Sequence, residues 1–172
     1  MATKKLMCIL FGILVISAWV LGSASLVGAE TMKCKSIATA TKDETISVSD
    51  EEGHFLRLRI SEGLAFFENG EIAKVRLYSL SDTVKKGGQG IGYILYTFDD
   101  GSTIVNRYQR LMVADQSGNY SAKTKSEIIK GTGRFEGIKG TSSSTGKDFP
   151  ATKEEAGRVF NDSTLTYTLP TK

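Results

Sequence analysis

A glycine-rich segment that ends in a lysine is the first candidate for chemistry in this sequence. Gly140 and Gly146 precede Lys147, an arrangement close to the phosphate-binding loop of nucleotide hydrolases. That loop has four residues between its glycines and a serine or threonine directly after the lysine, because the hydroxyl binds magnesium. Here five residues intervene and Asp148 follows, in a stretch typical of β-strands. We therefore expect turns and strand packing rather than phosphate binding.

The single histidine limits the metal and nucleophile chemistry that the chain can carry. A zinc site would have to combine His54 with Cys34 and carboxylates, and a Ser-His-Asp triad would need His54 as its base. The acidic residues 50–52 just before His54 predict a strand start near solvent. The acidic pair 99–100 lacks the ligand spacing of a calcium loop, so a solvated turn is expected. We predict no metal and no cofactor, and the catalytic residues stay unassigned.

The N-terminal segment has the form of a secretory signal peptide. Two lysines precede an uncharged apolar run over residues 6–21, and small residues follow. Val27 and Ala29 fit the two pockets of signal peptidase, which predicts cleavage after Ala29, with Ala24 as the second choice. The alternative is an uncleaved membrane anchor, because the uncharged stretch up to Ala29 could just span a bilayer. We expect cleavage, export to the periplasm or the medium, and no membrane attachment afterwards.

Charge and cysteine content describe the domain that this cleavage would leave. The signal peptide is predicted over residues 1–29 and a single domain over residues 30–172. The full chain has 22 basic and 19 acidic residues, and loss of the two leader lysines lowers its net charge from +3 to +1. A near-neutral domain gives no support for nucleic-acid binding. Cys34 is then the only cysteine, and it is either buried in the first strand or paired with another molecule.

The remaining sequence is typical of strands joined by turns. Segments rich in Ile, Val, Thr, Tyr and Phe alternate with clusters of Gly, Asp, Asn and Ser. Residues 85–90 are predicted as a flexible loop, and residues 152–155 have the form of a helix capping box. About eight strands and no long helix predict an all-β antiparallel barrel or sandwich, and closure would remove the sheet edges. The predicted strands cover residues 34–41, 54–60 with a continuation at 64–67, 72–80, 91–98, 103–114, 120–129, 138–149 and 158–169.

The predicted strand over residues 91–98 is apolar on both faces. Ile91, Tyr93 and Leu95 fall on one face, and alternate residues up to Phe98 fall on the other. A strand buried on two sides implies a barrel wall that something covers. A second subunit is one element that would supply that cover.

The most distinctive stretch lies at residues 129–140 and reads Ile-Lys-Gly-Thr-Gly-Arg-Phe-Glu-Gly-Ile-Lys-Gly. It resembles the glycine signature of the allene oxide cyclase/dirigent-like barrel superfamily, and the turn at residues 99–103 fits the same layout. The resemblance implies an eight-stranded antiparallel barrel with an apolar central cavity, often dimeric or trimeric. Plant members of that group cyclise a fatty-acid epoxide or steer radical coupling of phenols. The motif itself is expected to shape a strand-to-strand corner through Gly131, Gly133, Phe135, Gly137 and Gly140.

Three functions remain open from the sequence. The first is an exported barrel that binds a small apolar ligand, with cavity candidates chosen from strand interiors. The second is an isomerase or cyclase acting on a lipid-derived or phenolic substrate, with acid and base groups drawn from Glu62, Glu68 and inward tyrosines and arginines. The third is an assembly protein with a filled barrel and an associating outer face. The cavity candidates are Phe66, Tyr93, Tyr96, Arg107 and Tyr108.

Overall fold

Eight strands run through residues 28–171, the part of the chain that the computed structural model describes. Each strand is antiparallel to its neighbours in the chain, and β8 pairs with β1 to close a barrel. The predicted all-β antiparallel barrel of about eight strands is confirmed. The predicted signal peptide lies, except for its last two residues, outside the described residues. The strands are β1 (Glu30–Ser47), β2 (Phe55–Phe67), β3 (Ile72–Val84), β4 (Gly87–Phe98), β5 (Thr103–Ala114), β6 (Tyr120–Thr132), β7 (Lys139–Phe149) and β8 (Arg158–Thr168).

The flexible loop predicted at residues 85–90 is wrong. β4 already begins at Gly87, and only residues 85–86 turn between β3 and β4. Gly88 pairs with Thr83 on one side and with Met112 on the other. Glycine has a low preference for strands, but pairing with two neighbouring strands outweighs that local preference.

The predicted capping box forms the hydrogen bond of its threonine hydroxyl but no helix, and the Glu155 side chain pairs with Arg158 instead. The Thr152 hydroxyl accepts hydrogen bonds from the backbone N–H groups of Glu154, at 3.2 Å, and Glu155, at 3.0 Å. The segment between β7 and β8 nevertheless remains a turn. A threonine side chain can therefore order this connection locally, as in other turns of this kind.

One end of the barrel, here called the plugged end, is filled by aromatic side chains. It carries the turns at residues 68–71 and 99–102 and the connection at residues 133–138. Phe67, Phe98 and Phe135 are buried there, and the Phe98 ring centroid lies 5.2 Å from that of Phe67 and 4.9 Å from that of Phe135. Such offset aromatic contacts add to the stabilisation that comes from burial.

The glycine motif forms the β6–β7 connection at the plugged end. Gly133 and Gly137 have φ angles of +62° and +75°, which residues with a Cβ rarely adopt. A Cβ on Gly131 would lie 2.2 Å from the carbonyl oxygen of Phe135. The tight path through these glycines turns the Phe135 ring into the barrel. Arg134 covers this plug from outside, with its Cζ 4.7 Å from the ring centroids of both Phe98 and Phe135.

The opposite end, here called the open end, carries the connections at residues 48–54, 85–86, 115–119 and 150–157. The pairing of β1 with β8 stops at Thr39 and Arg158, and the Ala40 N–H then donates to the carbonyl of Gly157 at 2.8 Å. β1 continues to Ser47 paired with β2 alone. The loop at residues 150–157 therefore borders the mouth of the barrel.

Candidate functional site

Glycines on β4 make room inside the open end. Gly88, Gly90 and Gly92 occupy inward positions, continuing the alternation of the buried residues further along the strand. A Cβ on Gly92 would lie 2.7 Å from the Tyr108 hydroxyl oxygen, and one on Gly90 would lie 3.2 Å from Cγ of Arg110. The side chains of β5 therefore lie directly against the β4 backbone. A wall without side chains is what lets a tyrosine and an arginine enter this half of the barrel.

A cavity of about 40 Å³ lies between these elements. Ten of its fourteen lining residues are polar, so its chemistry differs from that of the aromatic plug at the other end. Its volume exceeds the space of a single water molecule but is far below the roughly 300–1,000 Å³ of a pocket that encloses a drug-sized ligand. The polar lining residues are Arg57, Arg59, Ser61, Ser79, Ser81, Thr83, Tyr108, Arg110, Tyr120 and Asp148.

A β-bulge in β1 brings a carboxylate to this site. The register with β2 shifts between Ala40 and Lys42, which places Asp43 opposite Arg59. Asp43 accepts two hydrogen bonds from Arg57, both at 2.5 Å, and one from Nε of Arg59 at 3.0 Å. Burial alone would raise the pKa of Asp43, but the hydrogen bond and charge of Arg57, together with the charge of Arg59, hold its pKa below its usual value.

A second ion pair crosses the cavity from β5 to β7. Nη2 of Arg110 donates to Oδ1 of Asp148 at 2.9 Å, and the side chains are only 7% and 11% exposed. The Tyr108 hydroxyl lies 3.5 Å from the carbonyl oxygen of Tyr78. Burial raises the pKa of Tyr108, which keeps this phenol protonated and available as a donor.

The arginines of this site have more donors than the described residues can satisfy. Nε of Arg110 and Nη2 of Arg59 are buried, and neither finds a hydrogen-bond acceptor within residues 28–171. Nη2 of Arg59 lies 3.0 Å from Asp43, but its N–H groups do not point at that oxygen. Burial, and then the like charge of Arg57, lower the pKa of Arg59. Three guanidinium groups thus face two carboxylates, an arrangement that can hold one further anionic acceptor.

Of the five predicted cavity residues, two point into the barrel. Tyr96 and Tyr108 are buried on the inner face. Phe66 and Tyr93 lie on the outer face with 46% exposure each, and Arg107 is exposed there and pairs with Glu127 at 2.9 Å. Side chains alternate between the two faces of a strand, so Tyr93 and Tyr96 could not both have lined the interior. The placement of Phe66, Tyr93 and Arg107 as interior residues is corrected accordingly.

Sequence reasoning missed the charged residues that define the open end. Arg57 and Arg59 share a strand face, and Ser79 and Ser81 repeat the same spacing on the next strand. That repeated polar alternation is a signal, but the opposite face of β2 carries Leu56 and other apolar residues that would ordinarily be taken as the inner face. Nothing in the sequence links Arg110 to Asp148, since 38 positions separate them.

Cys34 lies on the inner face of β1 and not at a surface where another molecule could reach it. Only 2% of the residue is exposed. Burial raises the pKa of the Cys34 thiol to about 11, and burial likewise raises the pKa of the neighbouring Tyr96. A thiol with such a pKa stays protonated and is a poor nucleophile. Of the two alternatives left open by the sequence, burial in the first strand is the one observed.

Glu62 and Glu68 do not supply acid–base chemistry to the interior. Glu62 is half exposed and pairs with Arg76, and Glu68 is exposed in the turn after β2, 3.8 Å from Lys33. No group of three or more histidine, cysteine or acidic side chains that could hold a metal occurs within residues 28–171. Within the same range, no helix has the length and apolar character needed to cross a membrane.

His54 joins the β1–β2 connection to β3 at the rim of the open end. Its Nδ1 lies 2.6 Å from Asp50 and its Nε2 lies 2.8 Å from Asp82, which precedes the β3–β4 turn. Both ring nitrogens can donate only when the imidazole is protonated. The hydrogen bond to Asp50, followed by that to Asp82, accordingly raises the pKa of His54.

This arrangement predicts a pH-dependent contribution of His54 to stability. Because the folded state binds the proton more tightly, the stabilisation is complete below the ordinary histidine pKa of about 6.5 and is lost as pH rises through the raised folded-state pKa. Urea midpoints of the wild type and His54→Gln should therefore differ at pH 5.5 and converge at pH 9. If the urea midpoints of the two proteins differ equally at both pH values, the protonated imidazole of His54 does not stabilise the fold.

Comparison with known proteins gives matches in structure but not in sequence. No model of a known protein family matches the chain, and no curated protein matches its sequence. The barrel is similar to that of the pterocarpan synthase dirigent protein GePTS1. The identity is 10%, the TM-score is 0.48, and the match covers 86% of this chain and 96% of that one. The barrel itself is established by its own strand pairing, without recourse to such similarities.

Two further solved structures match to a similar degree. The pterocarpan synthase dirigent protein PsPTS1 shows 13% identity and a TM-score of 0.45, covering 84% of this chain and 96% of that one. A β-barrel-like protein from Acinetobacter baumannii AYE shows 14% identity and a TM-score of 0.47, covering 81% of this chain and 96% of that one. At the level of the fold, the architecture implied by the glycine motif is the one observed.

Proposed function

We propose that this protein binds a small ligand through the open end of its barrel. The observation that carries the proposal is a pair of buried arginines, Arg59 and Arg110, each with a nitrogen that has no aligned hydrogen-bond acceptor among the described residues. A buried polar group without a partner is costly to a folded protein. A ligand that satisfies these groups would offset that cost, and the open end lies where a ligand could reach them.

The proposed ligand carries a polar group at the end that enters the barrel, whereas the sequence predicts an apolar ligand. The apolar half of the interior is occupied by Phe67, Phe98 and Phe135. The remaining space is small and polar, so only part of a ligand fits inside it. A polar group of the ligand would enter the cavity, and the rest would lie at the mouth near Met112 and Pro150.

A cavity-filling variant tests this function. Amide spectra of ¹⁵N-labelled protein should shift at Ser79, Ser81 and Tyr120 when phenol, benzamide or benzoate is added, because these residues line the cavity. In Ser79→Leu the added carbons fill the space, and the shifts should disappear. Ser143→Leu, an exposed position on β7, is the matched control and should keep them. Shifts confined to the outer surface, or none with any of the three probes, would overturn the proposal.

We also propose that copies of this chain associate through the outer face of β2 to β4. Leu58 pairs in register with Leu80, and Leu80 pairs with Ile91. In the neighbouring row Tyr78 pairs with Tyr93. Four of these side chains, all but Leu58, are more than a third exposed, and contiguous apolar surface of this kind commonly marks an interface.

Self-association is tested by sedimentation of the purified protein. We expect a dimer or trimer for the wild type and a monomer for Ile91→Lys, because a charge in a buried apolar interface lacks a partner. Thr166→Lys, exposed on the outer face of β8, should leave the mass unchanged. A monomeric wild type at concentrations of about 100 μM would overturn this second proposal, since stable interfaces normally bind more tightly than that.

A further inference from the structure

We infer that the group bound at the open end is a carboxylate carrying a single negative charge. The inference rests on the proposed function and adds the chemical class of the ligand. It follows from the charge balance, the unsatisfied donors and the size of the cavity.

The charge balance of the site leaves one positive charge over. Arg57, Arg59 and Arg110 face the carboxylates of Asp43 and Asp148. Asp43 is shared between two arginines, whereas Asp148 accepts a side-chain hydrogen bond, within residues 28–171, only from Arg110. A monoanion would neutralise the surplus, and a dianion such as sulfate would exceed it. Buried charge is tolerated when it is paired, so the monoanion is the better match.

The donors that lack partners define where the anion would lie. Arg59 uses Nε on Asp43 and leaves Nη2 without an aligned acceptor, while Arg110 uses Nη2 on Asp148 and leaves Nε free among the described residues. Arg59 and Arg110 both line this cavity, together with Asp148. A planar group with two oxygens can accept from two guanidinium donors at once, as carboxylates do.

The size of the cavity also favours a carboxylate group. The cavity of about 40 Å³ has room for a carboxylate group but not for an aromatic ring as well. Hydroxyls from Ser79, Ser81 and Tyr108 border the space and can donate to a carboxylate oxygen. The carbon skeleton of the acid would therefore leave through the mouth of the barrel.

The test compares an acid with its uncharged amide. Calorimetric titration at pH 7 should show benzoate binding at least tenfold more tightly than benzamide, because only the acid supplies an anionic acceptor to the arginines. Arg110→Gln should weaken benzoate binding by about ten- to a hundred-fold, as expected for loss of a hydrogen bond to a charged group. Arg107→Gln, on the same strand but facing outward, is the matched control and should change it less than twofold.

A measurement on the wild type keeps the inference testable if Arg110→Gln does not fold. Benzoate should shift the arginine Nε–Hε resonance of Arg110 downfield, and benzamide should not. Equal binding of benzoate and benzamide at the open end would overturn the carboxylate inference and leave the proposed function standing. Absence of binding by either probe would overturn both. Tighter binding of sulfate than of benzoate would overturn the monoanion assignment.

Discussion

Replacing Arg110 with alanine should lower the free energy of unfolding by about 3–5 kcal/mol, because the change leaves Asp148 buried without its partner. The Asp148 side chain is 11% exposed and accepts its hydrogen bond from Arg110. Urea unfolding followed by far-ultraviolet circular dichroism would measure the loss. Tryptophan fluorescence is unsuitable, because the only tryptophan, Trp19, lies in the predicted leader.

Two comparisons distinguish a buried ion pair from a general effect of losing an arginine. Arg107→Ala removes an exposed pair with Glu127 and should cost no more than about 1 kcal/mol. The double replacement Arg110→Met with Asp148→Leu should cost less than Arg110→Ala alone, since it removes both buried charges and keeps the volume filled. If Arg110→Ala lowers the free energy of unfolding no more than Arg107→Ala does, Arg110 and Asp148 do not form a stabilising buried ion pair.

Replacing Phe135 with alanine should also lower the free energy of unfolding by about 3–5 kcal/mol, because it removes the ring that fills the plugged end. Phe135 is buried, and its centroid lies 4.9 Å from that of Phe98. The tight glycine connection around it leaves the backbone little freedom to close the resulting space. The same unfolding measurement applies.

Phe66→Ala is the matched control for the plug. Phe66 has the same side chain but lies on the outer face with 46% exposure, so its removal should cost about 1 kcal/mol or less in the monomer. If Phe66→Ala and Phe135→Ala lower the free energy of unfolding equally, the Phe135 ring is not a structural plug. Measurement at low protein concentration keeps association through the outer face from adding to the cost.

The strand bounds could be predicted from the sequence where turn residues and the alternation of apolar and polar side chains indicated the same strand. β5 spans residues 103–114 as predicted, because the Asp99–Ser102 segment forms a strong turn before it and apolar and polar side chains alternate along it. The start of β4 could not be predicted from the sequence. Its glycines favour a loop locally, and only pairing with β3 and β5 holds them in a strand.

The candidate site was much less predictable than the framework. Alternation assigns residues of a strand to two faces but does not say which face is inside. On β2 the apolar face with Leu56 and Leu58 points outward, and the face with Arg57 and Arg59 points inward. The bulge after Ala40 then reverses the alternation on β1, and the sequence carries no local mark of that reversal. The pairing of Asp43 with Arg59 depends on both features.

The glycine face of β4 also determines in which direction this binding site can change. At Gly88, Gly90 and Gly92, every substitution adds atoms to the interior and none removes them. Substitution of these three glycines can only contract this end of the interior, so a larger ligand could not be accommodated by changing them. Changes that enlarge the site or alter its charge would arise at the lining side chains of the other strands, such as Tyr108, Arg110 and Asp148. Directed evolution of this barrel toward new ligands would therefore begin at those side chains and leave the glycines untouched.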